Sequence, residues 1–160
     1  MNVVVWRIAA DTPQYTADDL TGSGAALTGA RWNAPGEAVN YAATSIALAA
    51  WETRVHIGRT PALPLNRYLV RIDLPDTLWA AAERLTAPAV GWDAVPPGRV
   101  SIDFGSRWLA EQRSAVLRVP SVVVPEEDNV LINPAHPQVL ALARPIMATK
   151  LRKFVYDPRV

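Results

Sequence analysis

Hydrophobic and polar positions along the chain predict several short strands. Residues 3–9 are rich in β-branched side chains, which favours a strand. Between residues 65 and 74, apolar side chains alternate with polar ones, and this pattern is typical of a half-buried strand. Three further strands are predicted over residues 116–124, 129–133 and 151–156. Pro120 cannot donate to a strand ladder, so it predicts an edge or a bulge at that point.

The segment 44–57 is apolar nearly all round a helix, which predicts a buried helix. Either Thr44 or Ser45 can cap its first turn. Glu52 lies in its middle, where an ionised carboxylate is costly unless it is paired. His56 follows one turn later on the same face. Glu52 and His56 can form a pair on an exposed stripe of an ordinary helix, or Glu52 can lie at the floor of a cleft.

The remaining pattern favours an α+β fold. Segments 30–33 and 39–42 flank the turn signal Pro35-Gly36, which predicts a hairpin leading into the helix of Glu52. Shorter helices are predicted over residues 77–85, 103–113 and 138–143. Strands and helices do not alternate regularly. We therefore expect a single domain over residues 1–160, with short, mostly antiparallel strands in a split or two-sheet core and flanking helices.

Composition excludes several classes of function. The chain has 160 residues, a net charge of +1 and no cysteine. It has no basic run, which disfavours direct binding of nucleic acid. No signal peptide or membrane span is recognisable, so we expect a cytoplasmic protein. Its two histidines lie far apart and no phosphate-binding P-loop is present, so neither a metal site nor a P-loop enzyme is predicted.

Three side chains close together in sequence suit the cleavage of a dinucleotide. The guanidinium of Arg31 can hold a diphosphate, and the ring of Tyr41 can stack on a planar base. The carboxylate of Glu52 can stabilise a sugar cation while a glycosidic bond breaks. Each also has an ordinary interpretation: Arg31 as a surface charge stacked on Trp32, Tyr41 as a core ring, and Glu52 as one member of an exposed pair.

Five motifs in order resemble the RES-domain toxins, the partners of Xre-like antitoxins in bacterial toxin–antitoxin pairs. They are W-R-I, G-A-R-W-N, V-N-Y-A-A-T-S-I-A-L-A-A-W-E-T-R-V-H, V-P-S-V-V-V-P and N-V-L-I-N-P-A-H-P. The arginine, glutamate and serine that give the family its name match Arg31, Glu52 and Ser121. The resemblance implies an ADP-ribosyltransferase-like fold, an activity that consumes NAD, and a site that includes Tyr41 and, nearby, Asn133.

The resulting hypothesis assigns a role to each residue. Arg31 holds the diphosphate of NAD, Tyr41 stacks on nicotinamide or its ribose, and Glu52 stabilises positive charge at the anomeric carbon. The side chains expected to complete the NAD site by orienting the ligand, contacting it or positioning the carboxylate are Trp32, His56, Ser121 and Asn133.

The acceptor of ADP-ribose stays open. Transferases that modify arginine often carry a second carboxylate two residues before the catalytic glutamate, and here that position is Ala50. This disfavours arginine as the acceptor and leaves water, phosphate or another protein side chain. An Xre-like antitoxin is expected to cover the cleft. Two other classes remain: a nucleotide-binding module without catalysis, and an interaction protein that acts through its partner.

Overall fold

The computed structural model describes residues 1–60 and 62–160. Within them, seven strands form one sheet and five helices flank it. The strands are β1 (Asn2–Ala10), β2 (Asn40–Ala43), β3 (Arg67–Pro75), β4 (Glu83–Arg84), β5 (Val116–Pro120), β6 (Asp128–Ile132) and β7 (Met147–Lys153). The helices are α1 (Ser23–Thr28), α2 (Ile46–Ile57), α3 (Asp76–Ala80), α4 (Arg99–Glu111) and α5 (Pro137–Leu140).

The sheet consists of two halves that meet at a narrow junction. Its strand order is β4-β5-β6-β2-β1-β3-β7. The halves β4-β5-β6-β2 and β1-β3-β7 are joined by one residue pair, Trp6 with Ala43. All neighbouring strands are antiparallel except β4 and β5. This architecture confirms the predicted α+β class with a split, mostly antiparallel core.

Helix α2 covers this junction with one face and leaves the other face exposed. The Ser45 side chain caps its start by accepting a hydrogen bond from the N–H of Leu48 at 3.1 Å. Leu48 and Ala49 are buried in a cluster with side chains of β1, β2 and β3. Trp51 and Val55 are 49% and 58% exposed. The prediction of burial on all sides is therefore wrong, because only one face of α2 meets the sheet.

The predicted hairpin over residues 30–42 is also wrong. An isolated bridge between Ala30 and Asn33 closes a tight turn there, and β2 pairs with β1 and β6 instead. The buried Asn33 amide donates to the carbonyl groups of Ala25, Ala34 and Glu37. These bonds satisfy backbone acceptors within a loop, so the segment does not need a strand ladder.

Other boundaries differ because tertiary pairing decides them. The last strand begins at Met147 and not at residue 151, since β7 pairs along the edge of β3 from Asp73 onward. The segment 77–85 divides into α3 and β4, and the short helix α1 lies in a segment predicted to be a loop. No helix of the described residues is long and apolar enough to cross a membrane.

Helix α4 packs directly on the backbone of the turn that contains Trp32. A Cβ added at Gly105 would lie 1.6 Å from the carbonyl oxygen of Trp32, so only glycine permits this approach. Trp108 on the same helix is fully buried and donates from Nε1 to the hydroxyl of Ser114 at 2.9 Å. The close approach of Gly105 to Trp32 places the turn that precedes β2 directly against α4.

Candidate active site

The carboxylate of Glu52 is the centre of a hydrogen-bonded cluster at one end of the sheet. Helix α2 carries Glu52 to the end where β5 finishes and β6 begins. The hydroxyl of Ser121 donates to Glu52 Oε1 at 2.5 Å, and the amide of Asn129 donates to the same oxygen at 2.7 Å. Glu52 is half-buried. A carboxylate in such a place needs donors, because an unpaired ion is costly to remove from water.

The main chain around Ser121 orients its hydroxyl. The N–H groups of Val123 and Val124 donate to Ser121 Oγ at 3.0 and 3.1 Å. Because those two donors fill the acceptor positions of the hydroxyl, its one hydrogen is directed to the carboxylate of Glu52. Ser121 is fully buried. In this structure it therefore contacts Glu52, whereas the sequence predicted that it would orient a ligand.

Arg31 lies in the turn between α1 and β2, within the electrostatic range of Glu52. Its Nη1 donates to the carbonyl oxygens of Trp92 at 3.0 Å and Ala94 at 2.8 Å. Burial lowers the pKa of the guanidinium, whereas the charges of Glu52 and Asp93 raise it. Among the described residues, Nε and Nη2 have no hydrogen-bond partner. These two N–H groups form the edge of arginine that binds two oxygens of one phosphate.

The hydroxyl of Tyr41 is fully occupied by neighbouring protein groups. It donates to Asn33 Oδ1 at 2.7 Å and accepts from the N–H of Trp32 at 3.1 Å. Burial raises the pKa of Tyr41, and the N–H of Trp32 opposes this shift. The ring of Tyr41 is partly buried against the cluster of Trp32, Val39 and Trp108, and its hydroxyl both donates and accepts within the protein.

Trp32 is an anchor of the turn and not an accessible surface. Trp32 is only 2% exposed. The indole stacks on Trp92 with ring centroids 6.1 Å apart and meets Phe104 edge-on at 5.9 Å. This burial leaves no room for the predicted ligand contact. Trp32 instead holds the backbone on which Arg31 is mounted.

Two other predicted residues make no hydrogen bond to the Glu52 carboxylate. His56 is exposed on α2, and no hydrogen bond or ion pair joins it to Glu52. Asn133 follows β6 at the end opposite Asn129, and its amide oxygen accepts from the N–H of Ala135 at 3.0 Å. The structure therefore does not bring Asn133 to the cluster, and it gives His56 no contact through which to position the carboxylate.

Asn129 contacts the carboxylate of α2 but is absent from the residues predicted from sequence. Side chains alternate along β6, so the preceding Asp128 points to the other face, where it pairs with Arg84 and Arg118 at 2.9 and 2.7 Å. The register of β6 with β5 pairs Asn129 with Val119 and so places its amide beside the end of β5. That register is the signal that identifies Asn129, and one sequence does not supply it.

The split antiparallel sheet, its flanking helices and the carboxylate held at the sheet end define an α+β protein with an ADP-ribosyltransferase-like fold. The RES domain family matches residues 4–157, and the protein belongs to that family. The resemblance based on the five sequence motifs is thereby confirmed.

Relatives that match over most of their own length are named as toxins. The chain is 57% identical over 162 residues to the "Prs ADP-ribosylating toxin" of Sphingobium sp. (strain YBL2), covering 100% of this chain and 98% of that protein. It is 39% identical over 137 residues to "Toxin Res" of Pseudomonas putida, covering 85% and 88%. It is 35% identical over 150 residues to "Toxin Res" of Yersinia enterocolitica, covering 92% and 93%.

Proposed function

We propose that the protein is a toxin that breaks the nicotinamide–ribose bond of NAD and transfers ADP-ribose to a protein acceptor, arresting growth. The observation that carries this proposal is the Glu52 carboxylate, held by Ser121 and Asn129 near the charge of Arg31. The name of the Sphingobium relative, an ADP-ribosylating toxin, supports it. NAD is the substrate, and the proposed mechanism requires no metal.

The reaction begins as the bond between the ribose C1′ and the pyridinium nitrogen breaks. Both electrons leave with nicotinamide, which becomes neutral, and positive charge develops on the ribose. Glu52 stabilises that charge and hydrogen-bonds a ribose hydroxyl. A nucleophile of the acceptor then forms a bond to C1′ and releases its proton to solvent water. A negative charge fixed in advance stabilises the transition state without reorganisation, which makes it the largest expected contribution to the rate.

Arg31 and Tyr41 bind the substrate in this scheme. Trp92 and Ala94 anchor the guanidinium through Nη1, so Nε and Nη2 face outward as a preformed pair of donors. A diphosphate carries oxygens at the spacing that such a pair binds. The Tyr41 ring stacks on the nicotinamide or its ribose, while its hydroxyl stays bound to Asn33.

The first experiment measures nicotinamide release from NAD by the purified protein and two variants. Glu52→Gln keeps an oxygen that can accept from Ser121 and Asn129, so the fold should persist while the charge is lost. We expect its rate to fall on the order of 100- to 1,000-fold. Arg31→Ala should raise KM for NAD. The exposed Glu126→Gln and Arg107→Ala are the matched controls and should behave as wild type.

A folded Glu52→Gln protein that releases nicotinamide at the wild-type rate would refute the proposal. Binding of NAD, measured as a rise in melting temperature, without any nicotinamide release would favour the non-catalytic nucleotide-binding module instead. A protein that neither binds NAD nor releases nicotinamide, yet forms a stable complex with a partner protein, would favour a role in interaction alone.

Mass spectrometry of the products identifies the acceptor. NAD is incubated with the protein alone, with phosphate, and with purified Prs, the acceptor indicated by the name of the Sphingobium relative. A mass of one ADP-ribose added to Prs supports protein transfer. Free ADP-ribose or its phosphate, with no modified protein, would refute transfer and support NAD degradation. Because Ala50 stands where arginine-modifying enzymes often have a carboxylate, we expect the modified side chain not to be arginine.

We further propose that an Xre-like antitoxin binds over this site. Expression of the chain alone should arrest growth, and co-expression of an Xre-like protein encoded beside it should restore growth. If the two proteins form a complex that still releases nicotinamide at the rate of the free toxin, the antitoxin does not cover the site.

A further inference from the structure

We infer that Asn129 is a positioning residue. Together with Ser121 it donates hydrogen bonds to one oxygen of the Glu52 carboxylate, which leaves the other oxygen as the only one open to substrate. This inference rests on the proposed function, because it assigns how the carboxylate is presented to the ribose. Asn129 itself need not contact NAD in order to act in this way.

The two oxygens of the Glu52 carboxylate differ in the hydrogen bonds that they already accept. Each oxygen of an ionised carboxylate has about two lone-pair positions. Glu52 Oε1 accepts from Ser121 at 2.5 Å and from Asn129 at 2.7 Å, so both of its positions are filled. Within the described residues, Oε2 has no protein donor and is not sealed from solvent. A ribose hydroxyl that donates to Glu52 must therefore do so at Oε2.

The two donors also fix the orientation of the carboxylate. Asn129 lies in β6, whose backbone pairs with Ala43 on one side and Val119 on the other, so its amide projects from a rigid element. Ser121 is held by its own turn. Since a carboxylate only accepts hydrogen bonds, the amide nitrogen of Asn129 must face it. Two donors from different strand ends prevent rotation of the Glu52 side chain and hold Oε2 in one place, as a preorganised site requires.

A purely structural role for Asn129 predicts different results. If its amide only ties α2 to the sheet, its removal lowers the melting temperature but leaves KM, kcat and the pH profile of the folded fraction unchanged. If it positions the carboxylate, its removal lowers kcat while Arg31 continues to bind the diphosphate, so KM and the melting rise caused by NAD stay close to wild type.

The experiment compares Asn129→Ala, Asn129→Asp and the exposed control Asn66→Asp by nicotinamide release across a pH series. Asn129→Ala should lower kcat on the order of 10- to 100-fold, the value of one hydrogen bond to a charged group. Asn129→Asp has the same shape but introduces a second carboxyl group. At low pH the protonated Asp can donate to Glu52, whereas at higher pH two like charges repel. Its activity relative to wild type should therefore fall as pH rises, and that of Asn66→Asp should not.

Several outcomes would overturn the inference. If both Asn129 variants are folded and keep the wild-type kcat and pH profile while Glu52→Gln is inactive, Asn129 does not position the carboxylate, although the proposed function stands. If both variants lose the fold by circular dichroism, Asn129 is structural. If Glu52→Gln releases nicotinamide as wild type does, the proposed function and this inference fail together.

Discussion

Replacing Gly105 by alanine tests how closely α4 packs on the turn that holds Arg31. The new Cβ would lie 1.6 Å from the carbonyl oxygen and 2.6 Å from the carbonyl carbon of Trp32. Ordinary contacts between carbon and oxygen are about 3.3–3.6 Å, so the two backbones must separate by roughly 1.7–2.0 Å. No side-chain rotation relieves the contact, because the obstructing atoms belong to the main chain.

The expected cost is a balance of two effects. Alanine in a helix interior gains about 1 kcal/mol over glycine. Overpacking a well-filled core typically costs about 1–3 kcal/mol and occasionally more, and this clash involves backbone on both sides. We therefore expect the free energy of unfolding to fall by about 2 kcal/mol or more. For a chain of this length, a loss of that size lowers the melting temperature by roughly 4–8 °C.

Urea denaturation and thermal melting measure the effect, with Gly98→Ala as the control. A Cβ at Gly98 would lie 3.8 Å from the Cβ of Ala94, an ordinary contact, so this variant should lose little beyond a helix-capping preference. Any shift of Trp32 in folded Gly105→Ala also moves Arg31, so KM for NAD should rise. A Gly105→Ala protein as stable as wild type would mean that α4 does not rest on the Trp32 carbonyl.

Two further changes test other contacts. Tyr41→Phe removes the acceptor of the Trp32 N–H and should lower the free energy of unfolding by about 1–3 kcal/mol. Nicotinamide release should continue, because the hydroxyl bonds only to protein groups. A stable but inactive variant would contradict this. The hydrogen bond from Lys150 lowers the pKa of Asp11, so this pair stabilises the fold above the unfolded carboxyl pKa of about 4 and ceases to do so as pH falls through the lower folded value. The melting temperature of Asp11→Asn should therefore lie below that of wild type at pH 7, and the difference should close in acid.

Local signals in the sequence were enough to locate α2 and its cap. The Ser45 hydroxyl and the run that follows it specify a helix start within a few residues, and the observed helix is Ile46–Ile57. The alternating pattern of residues 65–74 likewise predicts β3, whose Val70, Ile72 and Leu74 are fully buried. These elements follow from side chains near in sequence, so one chain contains the information.

Features that depend on distant partners could not be predicted in this way. The exposure of Trp51 follows from which face of α2 meets the sheet, and apolar character alone does not determine that face. The contact of Asn129 with Glu52 depends on the register of β6. The hydrogen bonds donated by the Asn33 side-chain amide hold the predicted hairpin segment as a loop. Asn133 is a candidate because the family resemblance implies it, but it lies at the other end of β6.

The hydrogen-bond acceptors that hold Arg31 are the main-chain carbonyl groups of residues 92 and 94. The position of Arg31 should therefore depend on the length of this segment more than on its side chains. Every residue type at position 94 presents the same carbonyl oxygen, so side-chain exchanges there leave the arginine where it is. Removing one residue between β4 and α4 would shift those oxygens along the chain and withdraw them from Nη1. Affinity for a phosphorylated ligand would then change although the cleavage chemistry was untouched, so natural variation in this loop should preserve its length more strictly than its composition.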